Sequence, residues 1–403
     1  MKTIFVALFL LLAAVPAPAQ QDVENAKRTI AAIEGLLKER PNDPTLWFYL
    51  ARLQAQLGDR AASIAALEKV HAVGTGILPT REGGFEKIWD DKAFQAVRAK
   101  LEAKLPRLDF APTAFELDDR TFIPEGIAYD AHSKEFFLGS ISQKRIVRVG
   151  AGNAVSDFAG PSAEIDPILG VAVDSPRRIL YAVSTSALTE AGEAKPRNAV
   201  LVFNVDNGRL LRRMEIPAAR QLNDVTIARG GRVFASDSAS GAIYEIGQED
   251  VRELVAPNVV RGANGLAASP DARRLYVAHS TGIAVIDISR GTVKRMTIPA
   301  GESVAAIDGL YEWQGQLIGV QNLTTPGRVI LMTLSADGEA ITKVQTLLSH
   351  HHNVIYEPTT GVVTERGFHL LAATGVSHFN RAGQIERPET LPKPAVLRIP
   401  LPR

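Results

Sequence analysis

Four residues with hard oxygen donors, Glu125, Asn223, Asn264 and Asp308, take equivalent places in a short motif that recurs six times in this 403-residue chain. The motif has the form x-small-apolar. It reads Glu125-Gly126-Ile127, Leu169-Gly170-Val171, Asn223-Asp224-Val225, Asn264-Gly265-Leu266, Asp308-Gly309-Leu310 and Thr360-Gly361-Val362. Two carboxylates and two amide carbonyls converging from separate strands suit a divalent cation of the calcium type, which takes roughly six to eight oxygens at about 2.3–2.6 Å. Water or a substrate oxygen would complete such a shell. Zinc would require His or Cys, and neither stands at the first position of any repeat. The alternative for the same residues is a solvated channel mouth whose polar groups bond to one another and to water. Against it, close carboxylates without a cation repel and retain a proton, and no basic residue occupies these positions.

The elements that would bring the four together are short strands. Glu135-Phe136-Phe137-Leu138, Ile179-Leu180-Tyr181-Ala182-Val183, Arg232-Val233-Phe234-Ala235, Leu275-Tyr276-Val277-Ala278 and Gln316-Leu317-Ile318-Gly319-Val320 each follow a motif and precede a turn and a further strand. The motif returns every 41 to 54 residues, the length of one four-stranded propeller blade. The expected fold is therefore an all-β six-bladed β-propeller over residues 107–403, with the motif opening each innermost strand at one mouth of the channel. The last blade runs from Thr360 to about Leu401 and is closed by a strand near Ala114-Phe115-Glu116-Leu117, which removes two exposed edges. A β-sandwich would not explain six recurrences.

Residues 20–106 have a different period. Val23, Ala26, Ile30, Ile33 and Leu37 share one helical face. Asp43-Pro44-Thr45 starts a second helix, Gly58-Asp59 ends it and caps a third, and a fourth is expected from about Glu86 to Leu105. Pro44 to Ala51, with Gly58-Asp59 and Ala65 to Lys69, resembles one tetratricopeptide repeat. A protein partner could dock on this small all-α region. One repeat is too short for a solenoid groove, so a helical prefix packed on the larger domain is the favoured reading, with His71 a face residue.

Residues 1–19 read as a signal peptide: Lys2, an apolar run from Ile4 to Val15, and Ala17-Pro18-Ala19 before a cut ahead of Gln20. The mature chain is expected to be periplasmic or secreted and free of the membrane. Cysteine is absent, which excludes disulfides, thiol catalysis and cysteine-zinc sites. A net charge of +1 without a basic stripe argues against nucleic acid as a partner. No Gly-x-Ser-x-Gly elbow, phosphate loop or His-Glu-x-x-His motif occurs.

Pro124-Glu125-Gly126, Asn223-Asp224, Asn264-Gly265-Leu266-Ala267-Ala268-Ser269-Pro270-Asp271 with Leu275-Tyr276-Val277-Ala278, and Asp308-Gly309 together resemble the senescence marker protein, gluconolactonase and luciferin-regenerating enzyme family. The resemblance covers about residues 112–403. It implies a divalent ion, usually calcium, held by Glu125, Asn223, Asn264 and Asp308, with Asp308 also the general base in hydrolysis of a lactone or similar small-molecule ester. Gln221 stands where gluconolactonase-like members have an Arg for sugar hydroxyls, and the adjacent Arg220 would face the other way. Related paraoxonase-like propellers use mouth histidines, a role open to His279 or His378, though each is more often a turn or blade residue. The run His350-His351-His352 falls in a loop before the last blade, where a mobile linker is the favoured reading over a metal role. Asn322-Leu323-Thr324 is a glycosylation sequon, and specificity is expected in loops 186–197 and 323–327. The competing functional reading is a non-catalytic exported propeller that binds a ligand or protein partner.

Overall fold

The computed structural model describes residues 20–189 and 195–402. The expected signal peptide and part of loop 186–197 lie outside the described residues. Among the described residues no helix is long and apolar enough to cross a membrane.

Six four-stranded antiparallel sheets follow one another along the chain, over residues 124–159, 168–215, 222–255, 266–295, 307–348 and 361–399. The sixth lacks an outer strand of its own and takes Thr113–Glu116 from the start of the domain, pairing Phe115 with Val396 and Glu116 with Ala395. This is the six-bladed propeller with the closing strand expected. Innermost strands crowd around the axis, which explains the small residue in the motif. A Cβ on Gly126 would lie 2.2 Å from the Leu169 carbonyl oxygen of the next blade, and one on Gly265 would lie 2.3 Å from that of Asp308. Apolar side chains between blades, such as Phe137, Leu180 and Phe203, or Phe234, Leu275 and Ile286, are fully buried. Each contributes about 1.5–3 kcal/mol relative to exposure.

The helical region consists of α1 (Gln20–Glu39), α2 (Pro44–Leu57), α3 (Arg60–Val73) and α4 (Lys92–Glu102). Asp43 caps α2 by accepting from Thr45 N and Leu46 N, and Gly58 ends it in the left-handed conformation at φ 84°. The fourth helix starts later than the sequence pattern predicts. Gly84, at φ 95°, breaks the chain, and Asp91 supplies the cap. Phe48, Phe85 and Phe94 form a buried aromatic row with centroids 5.7 and 5.6 Å apart. His71 is a half-buried face residue.

This region packs on the propeller. Tyr49 Oη donates to Ser280 O at 2.6 Å, the Thr45 and Ser303 hydroxyls are 3.0 Å apart, and Leu78 N donates to Thr324 O at 2.8 Å. Ser280 and Thr324 lie in hairpins after second strands, and Ser303 precedes an innermost strand. All three therefore belong to the face where innermost strands begin. The helices stand on blades four and five beside the channel mouth.

Candidate metal centre at the channel mouth

The structure places Glu125, Asn223, Asn264 and Asp308 at the start of the innermost strands of blades one, three, four and five. Asn264 Nδ2 donates to Asp308 Oδ1 at 2.9 Å, joining two of them directly. Glu125 is buried, raises no cross-blade bond through its side chain, and has an Oε2 without any hydrogen-bond partner. Its backbone carbonyl accepts from the hydroxyls of Thr359 at 3.0 Å and Thr360 at 2.7 Å, so the sixth motif supports the first. Asn223 is half-buried in the innermost strand of blade three, and no hydrogen bond joins its side chain to the other three among the described residues.

Asp224 is a mouth residue that the motif alone conceals. It holds the position that glycine takes in the other five repeats. Its carboxylate accepts from Val225 N at 2.8 Å and from Leu266 N of the next blade at 3.3 Å. A Cβ on Gly170 would come within 2.4 Å of Asp224 Oδ1, so glycine in the second blade makes room for the acid in the third. Asn322 was also missed, because its sequon suggests a different role. Its Nδ2 donates to Asp308 Oδ2 at 2.7 Å and to Pro358 O at 2.9 Å. The Asn322 amide is thus committed inside the mouth rather than offered to a glycan. Its place after the second strand of the blade that carries Asp308 is the only sequence signal for it.

Three carboxylates in this space shift one another. Burial pushes Glu125 well above the usual carboxylate range, and the charges of Asp308 and Asp224 push the same way. Burial lifts Asp224 to about 7, against its two backbone hydrogen bonds. Burial lifts Asp308 to about 6, against the bonds from Asn322 and Asn264. Among the described residues no Lys or Arg pairs with any of the three acids, and their shifts come from burial, from one another's charge and from hydrogen bonds. The Tyr311 hydroxyl, buried near the acids, is pushed far up and accepts from Gly361 N at 2.8 Å.

This donor set fits a hard divalent cation. It is all oxygen, it carries negative charge with no basic side chain to offset it, and it leaves a buried carboxylate oxygen unsatisfied, a costly arrangement without a counter-ion.

His279 and His378 stand at or just after the ends of second strands, on the mouth face, but each is engaged locally. His378 is held on both nitrogens, by Tyr356 Oη at 3.1 Å and Glu386 O at 2.8 Å. His279 accepts from Thr281 N at 3.3 Å in a blade turn, and burial lowers it to about 4. Arg220 is exposed, and its backbone N–H and that of Gln221 both donate to Asp237.

No curated protein sequence matches the chain significantly. Among solved structures, a Thermus thermophilus oxidoreductase described as a glucose dehydrogenase superposes with a TM-score of 0.50 at 16% identity, covering 72% of this chain and 99% of its own. The PQQ-bound aldose sugar dehydrogenase of Streptomyces coelicolor gives 0.50 at 14% identity, covering 73% and 99%. A gluconolactonase of Xanthomonas campestris gives 0.49 at 16% identity, covering 74% and 95%. At these identities the likeness is one of fold. The sequence pattern described as the SMP-30/Gluconolactonase/LRE-like region matches residues 123–347, more than half of the chain, and the protein belongs to that family.

Proposed function

We propose that the protein is a calcium-dependent hydrolase of a lactone or similar ester, with Glu125, Asn223, Asn264 and Asp308 holding the ion. The observation that carries this reading is the cluster of oxygen donors at the mouth, with one buried Glu125 oxygen unsatisfied and no basic residue acting on the acids. Family membership and the name of the gluconolactonase among the similar folds support the substrate class. When bound, the ion supplies charge that polarises an ester carbonyl.

The remaining work falls to the chain. Asp308 is the proposed general base. Asn264 and Asn322 each donate to one of its oxygens and fix its plane, so that the carboxylate can take the proton of an attacking water as the new C–O bond forms. Breaking of the ring C–O bond then returns a proton to the leaving alkoxide. The helices stand beside the mouth on blades four and five. Residues 1–19 are read as an export signal, which assigns the activity to the periplasm or the exterior.

A screen of lactones and aryl esters with calcium tests the proposal. Turnover is expected, and it should disappear in Glu125→Gln and Asp308→Ala. Calcium binding without turnover of any substrate would overturn the hydrolase reading and favour a ligand-binding propeller.

A further inference from the structure

Away from the mouth, α4 ends on Glu102 beside the turn that carries His350 and His351. Each of the three offers a donor atom, and these atoms all lie within 4.8 Å of one another. The two imidazole rings are 4.0 Å apart at 33°. Successive side chains on a strand face opposite ways, and it is the turn after Ile341–Leu348 that brings both rings to the same side.

The surrounding bonds prepare these groups as ligands. Ser349 Oγ lies 3.1 Å from Leu108 O, which can only accept, so the hydroxyl proton points there. The same Oγ accepts from Leu108 N at 3.0 Å. It is therefore an acceptor toward His351 Nδ1 at 2.9 Å, which puts the ring proton on Nδ1 and leaves the Nε2 lone pair free. An outer partner of this kind is the usual device for orienting a metal-binding imidazole. Arg98 Nη1 holds Glu102 Oε2 at 3.0 Å, leaving Oε1 turned toward His350 Nε2 at 3.4 Å. Burial lowers His350, so its ring is neutral near pH 7. Oε1 can only accept, so His350 Nε2 donates to it, and in the neutral ring the lone pair stands on Nδ1. His352 is different: Ala111 O and Val354 N occupy its two nitrogens.

We propose that Glu102, His350 and His351 form a second metal site, for zinc or a similar borderline divalent ion, that clasps the helical region to the propeller. Two imidazoles and a carboxylate are a zinc set rather than a calcium set. Bonds of about 2.1 Å in a tetrahedron require donors about 3.4 Å apart, a contraction that rotation of three half-buried side chains supplies. The fourth position is left to water. The site shares no residue with the mouth and stands or falls apart from the hydrolase reading.

The test uses the full chain without an affinity tag, stripped of metal and then saturated with calcium at the mouth. Cobalt is titrated in, followed by zinc. The expected result is uptake of one equivalent, visible bands of four-coordinate cobalt that zinc displaces, and a rise in melting temperature. Glu102→Gln and His351→Gln should each weaken uptake at least tenfold, and Ser349→Ala should weaken it roughly tenfold as a positioning residue. Exposed His132→Ala and the mouth variant Asp308→Ala should leave it unchanged. Melting temperatures in chelator establish that each variant is folded. No stoichiometric uptake by the wild type, or wild-type uptake by His351→Gln, overturns the proposal.

Discussion

In metal-free protein, replacing Asp224 with Asn should raise stability at about pH 8 and flatten its decline with pH. Burial lifts this carboxyl from 3.8 to about 7. Each unit corresponds to about 1.4 kcal/mol, so full ionisation of the folded form costs on the order of 4 kcal/mol. The raised folded value fixes the sign. The unfolded chain releases the proton near 3.8 while the folded chain keeps it until about 7, so stability present in acid is lost across that window and levels off above it. About 2.6 kcal/mol of the loss falls between about pH 5 and about pH 8. The substituted amide keeps its acceptor for Val225 N–H but turns NH2 toward Leu266 N–H, a loss of about 1 kcal/mol. The variant should therefore be about 3 kcal/mol more stable than the wild type at pH 8. Urea unfolding in chelator, followed by tryptophan fluorescence at several pH values, measures this. Wild-type stability that rises from about pH 5 to about pH 8, or a variant no more stable at pH 8, would refute the reasoning.

Asn322→Ala removes the donor to Asp308 Oδ2. It should raise the pKa of Asp308 and shift the acid limb of any pH–rate profile upward, with a stability loss of about 1–3 kcal/mol seen by denaturant melts. Gly265→Ala would place a Cβ 2.3 Å from Asp308 O and 2.4 Å from Leu310 N, both backbone atoms of the next blade. A lower melting temperature together with weakened calcium binding is expected, and wild-type values for both would contradict the inter-blade packing. Tyr49→Phe deletes the bond to Ser280 O between the helices and blade four. It should cost about 1 kcal/mol and increase proteolysis at the junction.

Much of the propeller was legible because its repeat unit writes the same constraint six times: a small residue where innermost strands crowd together, preceded by the residue that opens the strand. Gly126 and Gly265 show the constraint most clearly, each with a neighbouring backbone inside the reach of a Cβ. The closing strand was legible from Phe115 and its apolar neighbours. What departs from the repeat was not. Asp224 replaces a glycine and is accommodated by Gly170 in another blade, a pairing that appears only in three dimensions. Asn322 lies outside the motif and acts through a hairpin. The start of α4 was misplaced because apolar spacing continues through Phe85 and Ile88, whereas Gly84 and the Asp91 cap decide where the helix begins. The packing of the helices on the mouth face depends on single polar contacts such as Thr45 with Ser303, 258 residues apart in the chain.

The central claim is one cation shared by Glu125, Asn223, Asn264 and Asp308, and calorimetric titration of calcium into metal-stripped protein tests it most directly. One saturable site is expected in the wild type, with about 2.7 kcal/mol of added stability at about 100 times the dissociation constant. Asp308→Ala should abolish both. A wild type that takes up no calcium and melts at the same temperature with and without it would contradict the account.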